Sequence, residues 1–227
     1  MTGDRANDLF GPLALSLELA FVTTLLLLVM ATPLAWWLSR SRVPWKPVVQ
    51  AVVALPIVLP PTVLGFYLLV LLGPYQAPGS WWFTLTGETL TFSFAGLVIA
   101  SCVYSLPFAV QPLQAAFDLV GDDALEAART LGATRRDVFF SVAVPMAAPG
   151  FLGAAVLSFA HTLGEFGVVL MVGGNIPDET RVVSIAIFDH VESLNYRAAH
   201  ELSALLLVLA FAFLLLMFVA NRRRGHA

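Results

Sequence analysis

Apolar residues in this chain come in long blocks, at neither the 3.6-residue period of a half-buried helix nor the strict alternation of a half-buried strand. Five blocks cover residues 13–38, 48–72, 92–110, 147–172 and 202–220. Each is about 19 to 27 residues long, and a helix needs about 20 to cross the hydrocarbon of a bilayer. A membrane barrel would show segments of about ten residues with alternating polarity. The pattern predicts an all-α polytopic membrane protein, one transmembrane domain over residues 1–227 with about five spanning helices.

Composition agrees: 59% of the 227 residues are hydrophobic and 12% charged, against about 25% charged in soluble domains. The first block is too long for a signal peptide, and its flank carries Asp4, Arg5 and Asp8 rather than a basic cluster, so it is expected to remain as a helix. Cys102, the only cysteine, excludes an intrachain disulfide and a multi-cysteine metal site, and reads as a packing residue.

The net charge of −3 says less than the placement of the charges. Arg40, Arg42, Lys46, Arg129, Arg135, Arg136, Arg222, Arg223 and Arg224 put nine basic residues on one side of the predicted helices, against Arg5, Arg181 and Arg197 on the other. Basic loops stay inside, which predicts an external N-terminus and a cytoplasmic C-terminus. An odd number of spans requires the same result. Trp36, Trp37 and Trp45 then mark the inner interface, and Trp81 and Trp82 the outer one.

Two spans carry unusual chemistry. Pro56, Pro60, Pro61 and Gly65 interrupt the second, and prolines inside a membrane helix free carbonyls that need protein or water partners. These four are candidates for lining or gating a pathway, with a packing kink as the plain alternative. In the fourth, His161 and Glu165 are spaced i,i+4 and are expected to share a helix face. Ionisable groups at membrane depth usually turn inward; a structural pair, a subunit contact and a pathway role all remain open for these two. Asp189, His190 and Glu192 form a polar cluster that reads as a solvated or partner-facing loop rather than a metal site.

Residues 118–145 are polar and predicted to be cytoplasmic. Asp123 and Glu126 have capping-box spacing before a run of helix formers, Gly132 suits a turn or C-cap, and Thr134 with Asp137 repeats the box for a second short helix towards Pro145. Phe139 and Phe140 are possible anchors for a partner groove. Across this segment Glu126-Ala127-Ala128, three residues, Gly132, nine residues and then Val142-Ala143-Val144-Pro145 resembles the EAA signature of bacterial ATP-driven importer permeases. Val142 and Val144 stand at that signature's Ile and Leu positions.

The resemblance implies a type I ABC importer permease fold in which this segment is a coupling helix. It assigns ATPase docking to Glu126, Ala127, Ala128, Gly132, Thr134, Arg135, Arg136 and Asp137. Gly164-Glu165-Phe166-Gly167 and the loop from Gly173 to Arg181 look like the oxyanion branch of these permeases, and the chain resembles molybdate permease subunits, with sulfate, thiosulfate and tungstate permeases as relatives. It departs from them at His161, where related chains often have arginine, and at Asp178, in a turn where glycine is common. Because Glu165 would repel an oxyanion if charged, it is not assigned as a cargo ligand.

The partners implied are a second copy in a homodimer, two ABC ATPase subunits, a periplasmic or extracellular molybdate-binding protein and lipid of the bacterial cytoplasmic (inner) membrane, with no nucleic acid. Lys46 is the only lysine and follows Trp45, so no P-loop is present. ATP and Mg therefore belong to the partner ATPase, no cofactor or metal is expected on this chain, and no catalytic residue is assigned. A membrane-embedded hydrolase would need a nucleophile with its base or an H-E-x-x-H motif, and neither occurs. A non-transporting scaffold would leave the docking signature unexplained.

Overall fold

The computed structural model describes the backbone of residues 2–224 and the side chains of residues 10–215 and 217. The side chains of Arg5 and Arg222–Arg224, used above for topology, lie outside the described residues. Among the described residues eleven helices follow in order: α1 Thr2–Arg40, α2 Lys46–Val58, α3 Pro61–Leu72, α4 Gly79–Thr86, α5 Phe94–Leu119, α6 Asp122–Thr130, α7 Arg135–Met146, α8 Ala148–Leu163, α9 Gly167–Gly173, α10 Val183–Glu192 and α11 Tyr196–Arg224. No strand occurs among the described residues.

Three stretches are single helices long and apolar enough to cross a membrane: Phe10–Arg40, Phe94–Leu119 and Tyr196–Leu215. Two further pairs, α2 with α3 and α7 with α8, pass the same test only when each is taken together across a bend, giving up to five spans. In the second pair α8 carries the apolar length, while α7 opens on Arg135, Arg136 and Asp137. Two polar side chains inside α1 are accommodated by its own backbone: Ser16 donates to the Pro12 carbonyl at 2.8 Å and Thr32 to the Leu28 carbonyl at 2.5 Å. Such i−4 bonds satisfy hydroxyls where water is absent.

The second predicted span is more than kinked. Leu59 (φ −72°, ψ 137°) and Pro60 (φ −54°, ψ 135°) are both extended, so α2 ends and α3 begins anew. Each of these residues precedes a proline, whose ring crowds the α conformation of the residue before it. Pro61 then sits at the first position of α3, where its missing N–H leaves nothing unsatisfied. Pro56, by contrast, is tolerated inside α2.

The fourth predicted span is also broken. Helix α8 stops at Leu163, Gly164 to Phe166 leave the helix, and α9 starts at Gly167. The expected shared face of His161 and Glu165 is therefore absent, because the i,i+4 relation needs continuous helix. The predicted loop 73–91 contains a helix, α4, which carries the exposed Trp81 and Trp82.

Packing groups the chain into two compact units: Met1–Thr23, Pro60–Ser101 and Thr162–Ala227 in the first, and Thr24–Leu59 with Cys102–His161 in the second. In the first, Leu13, Val183, Ala186 and Leu202 form a buried cluster. Ser16 of α1 accepts the Val183 N–H at 2.7 Å, supplying the start of α10 with the cap that its own sequence lacks. In the same unit α3 lies against α9 so closely that a Cβ on Gly65 would come within 2.8 Å of the Met171 Cβ, and one on Gly167 within 2.7 Å of the Pro61 Cβ. Small residues permit such approach in membrane helices.

Candidate functional site

The expected docking segment folds within the second unit as a helical hairpin, α6 and α7, with a turn at residues 131–134. Helix α6 ends in a Schellman arrangement: the Gly132 N–H reaches the Arg129 carbonyl at 3.0 Å and the Ala133 N–H the Ala128 carbonyl at 3.1 Å. Gly132 has φ +86°, the left-handed conformation that this closure requires. Three residues on, the Thr134 hydroxyl accepts the Asp137 N–H at 3.3 Å, and the Asp137 carboxylate accepts the Thr134 N–H at 3.0 Å and its hydroxyl at 2.6 Å. The capping box expected at Thr134–Asp137 is thus complete. These bonds to the charged form hold the Asp137 carboxyl below its ordinary value of 3.8.

The capping box expected at Asp123–Glu126 does not form. Helix α6 starts two residues early, at Asp122, with Gly121 as its N-cap and no side-chain cap bond. Asp122 is engaged elsewhere. Its carboxylate meets Arg40 at 2.6 Å, while the same guanidinium donates to the Phe117 carbonyl at 2.8 Å and the Val120 carbonyl at 2.5 Å. One arginine from the end of α1 thereby caps the C-terminus of α5 and pairs with the first residue of α6. Both placements suit the helix dipoles, a cation at a C-terminus and an anion at an N-terminus. The guanidinium also lies 5.1 Å over the Trp36 ring. Sequence reasoning used Arg40 only as a topology charge and missed this role.

Of the two expected anchors, Phe139 is half-buried and engaged within its own unit. It packs edge-on against Trp36 at 5.3 Å and near Phe117 at 6.1 Å. Phe140 is 67% exposed. Both lie in a π-helical stretch, Val138–Ala143, inside α7. The wider turns occur just before Pro145, which offers no N–H to the Ser141 carbonyl. Glu126, Ala127, Gly132, Thr134, Arg135, Arg136 and Asp137 are all exposed, and Ala128 is half-buried. Leu125 is the buried residue that seats α6. The hairpin presents seven of the eight assigned residues outward, and three of them, Gly132, Thr134 and Asp137, also close its turn.

The pathway candidates separate into different settings. His161 lies in the last turn of α8, within the second unit, its ring stacked on Phe108 at 4.0 Å and 4.8 Å from Tyr104, with Nδ1 hydrogen-bonded to the Ser105 hydroxyl at 2.9 Å. Glu165 belongs to the first unit and is 4% exposed, with neither carboxyl oxygen hydrogen-bonded among the described residues. The Ser101 hydroxyl faces it but falls short of hydrogen-bond geometry. Its main-chain carbonyl accepts the Ser184 hydroxyl at 2.5 Å, which fixes the non-helical segment. Pro61 and Gly65 sit where α3 meets α9.

In the loop after α9, Thr180 donates to the Gly173 carbonyl at 2.7 Å, and Arg181 Nε donates to Asn175 at 2.6 Å. Asn175 in turn donates to Asp189 of α10 at 3.3 Å. Asp178 has φ +64°. Glycine is favoured in that conformation and aspartate tolerated, which accounts for the departure noticed there.

Similarity to known proteins places this architecture. The molybdenum transport system permease protein ModB of Azotobacter vinelandii is 57% identical over 94% of this chain and 93% of its own length. The sulfate transport system permease protein CysT of Escherichia coli (strain K12) is 35% identical over 89% of this chain and 72% of its own. A crystal structure of a bacterial alginate ABC transporter, in complex with a periplasmic protein holding an alginate pentasaccharide, superposes with a TM-score of 0.75 at 18% identity. It covers 94% of this chain and 78% of that one, a likeness of fold. Residues 20–224 match the family described as the inner membrane component of binding-protein-dependent transport systems. The chain belongs to that family of membrane transport components.

Proposed function

We propose that this chain is the permease subunit of an ATP-driven importer that carries molybdate across the bacterial cytoplasmic membrane. The observation that carries the reading is the 57% identity to a molybdenum transport permease over nearly the whole of both chains. The exposed hairpin supports the energy-coupling half of it. Gly132, Thr134 and Asp137 build two adjoining helix ends whose remaining side chains face outward, a shape suited to a partner groove. Glu126, Ala127, Ala128, Arg135 and Arg136 complete the docking surface for the ATPase, to which ATP and Mg are assigned.

In this reading the chain acts as a homodimer, each copy seating one of two ABC ATPase subunits. An external binding protein delivers the anion. The charge bias of the loops supports an external N-terminus and a cytoplasmic C-terminus. Closure of the ATPase pair draws the hairpins together and opens the pathway outward, and hydrolysis resets it. The breaks at Leu59–Pro60 and Gly164–Phe166 supply short helices that can tilt without unwinding a whole span, so Pro56, Pro60, Pro61, Gly65, His161 and Glu165 are assigned to the pathway or its gate.

The test is oxyanion-stimulated ATP hydrolysis by the complex in liposomes, with its ATPase and binding protein, comparing molybdate, tungstate and sulfate at matched concentration. Stimulation by molybdate and tungstate alone is expected. Stimulation by sulfate alone, the result that the 35% identity to a sulfate permease would favour, replaces the cargo and keeps the importer. No response to any anion defeats the importer reading.

A further inference from the structure

A cleft of about 460 Å³ opens in the second unit, between the end of α1 and the α6–α7 hairpin. Four guanidiniums line it, from Arg40, Arg42, Arg129 and Arg135, against two carboxylates, Asp122 and Glu126. Two positive charges are therefore uncompensated. Their distribution is uneven. Arg40 is consumed by Asp122 and two backbone carbonyls, whereas no ion pair joins Arg42, Arg129 or Arg135 to any described residue. Glu126 is the single carboxylate left among these three.

We propose that this cleft binds a tetrahedral phosphate-type group through Arg42 and Arg129, with Arg40 as its fixed wall. Guanidinium forks match the paired oxygens of a phosphate, and two of them on one anion give more than point-charge attraction. The volume falls within the roughly 300–1,000 Å³ of small-ligand sites and exceeds what a bare ion fills. The setting is interfacial. Arg40 is the last residue of an apolar membrane helix, Trp36 also lines the cleft, and the Trp37 and Trp45 rings lie 4.9 Å apart beside it in sequence. Tryptophan marks the headgroup level, and basic pockets between helices at that level take anionic headgroups. The same chemistry is offered by the phosphodiester of an anionic lipid and by free inorganic phosphate. Size and depth favour the lipid.

The experiment measures binding of phosphatidylglycerol to the purified chain in phosphatidylcholine nanodiscs, with inorganic phosphate as competitor at constant ionic strength. Phosphatidylglycerol is expected to bind, and the double variant Arg42→Gln, Arg129→Gln to bind about thirtyfold more weakly, the effect of removing two basic residues near a membrane surface. Both side chains are exposed and unpaired, so the variant keeps the fold's contacts. Arg197→Gln, outside the cleft and paired with Glu201, is expected to bind as the parent does. Competition by phosphate would assign the site to free oxyanions as well; retention against phosphate assigns it to lipid. Equal binding by the double variant and the parent, or no preference for phosphatidylglycerol over phosphatidylcholine with no phosphate binding, overturns the proposal.

Discussion

The two ends of α6 are closed by different physics. At its C-terminus the turn into α7 is made by residues within a stretch of ten, Ala128 to Asp137, through backbone bonds at Gly132 and Ala133 and the Thr134–Asp137 box. At its N-terminus the corner with α5 is held by Arg40, which reaches residues 77 to 82 positions away. The first closure uses a glycine and a cap motif at fixed spacing. The second uses a side chain whose partners become neighbours only after α1 and α5 pack. One end is closed by residues near in sequence, and the other by a residue that only tertiary packing brings near.

That difference sets the largest expected effect. Arg40→Gln leaves the Phe117 and Val120 carbonyls without their charged donor, and bonds of that kind contribute about 1.5–3 kcal/mol each at most. A loss of about 2–4 kcal/mol in detergent thermal unfolding is expected. Asp122→Asn should cost under about 1 kcal/mol, because its carboxylate side chain is 68% exposed and solvent screens the pair. Equal losses in the two variants would show that the ion pair, rather than carbonyl capping, holds the corner.

The local closure is expected to be more forgiving. Nothing lies within 4 Å of a Cβ built on Gly132, so Gly132→Ala meets only the penalty of φ +86°. That penalty is about 1–2 kcal/mol, and Gly132→Asn should recover part of it, since Asn visits this conformation more readily. Unfolding measurements on the pair check the sign, and co-purification with the ATPase checks whether the turn matters for docking. An alanine variant as stable as the parent would mean that the Schellman closure contributes little.

The same contrast explains what the sequence made legible. Blocks of apolar residues announced the membrane helices, and successive prolines announced the break after Leu59, because both effects are steric or solvent-driven at short range. The break at Gly164–Phe166 had no proline to announce it, and the Glu165 carbonyl there is held by Ser184, 19 positions away. The expected His161–Glu165 face failed for that reason. Asp123 and Glu126 had the spacing of a box, but the Arg40 ion pair took the preceding aspartate and shifted the helix start. Phe139 read as an outward anchor because nothing in its own segment reveals Trp36 or Phe117. The Gly132 turn and the Thr134–Asp137 box were legible because both close within a few residues, with no distant side chain claiming them.

The smallest effect tests the capping box alone. Thr134 donates two bonds to the Asp137 carboxylate, which favours its charged form and lowers its pKa from 3.8. A carboxyl lowered in the folded state adds stability that is fully present above its unfolded value and is lost as pH falls through the lower folded value. The box should therefore persist at neutral pH and loosen only below about pH 3.8. Carbon-13 titration of the Asp137 carboxyl in the detergent-solubilised chain reads this directly. Thr134→Val removes both the hydroxyl donor and the acceptor for the Asp137 N–H, so its titration should move up towards 3.8. Because Arg40 lies on the other end of α6, Arg40→Gln should leave that titration unmoved if the turn is locally closed. A shift in both variants would mean that the two ends are coupled through α6, and that the distinction between local and distant closure breaks down in this hairpin.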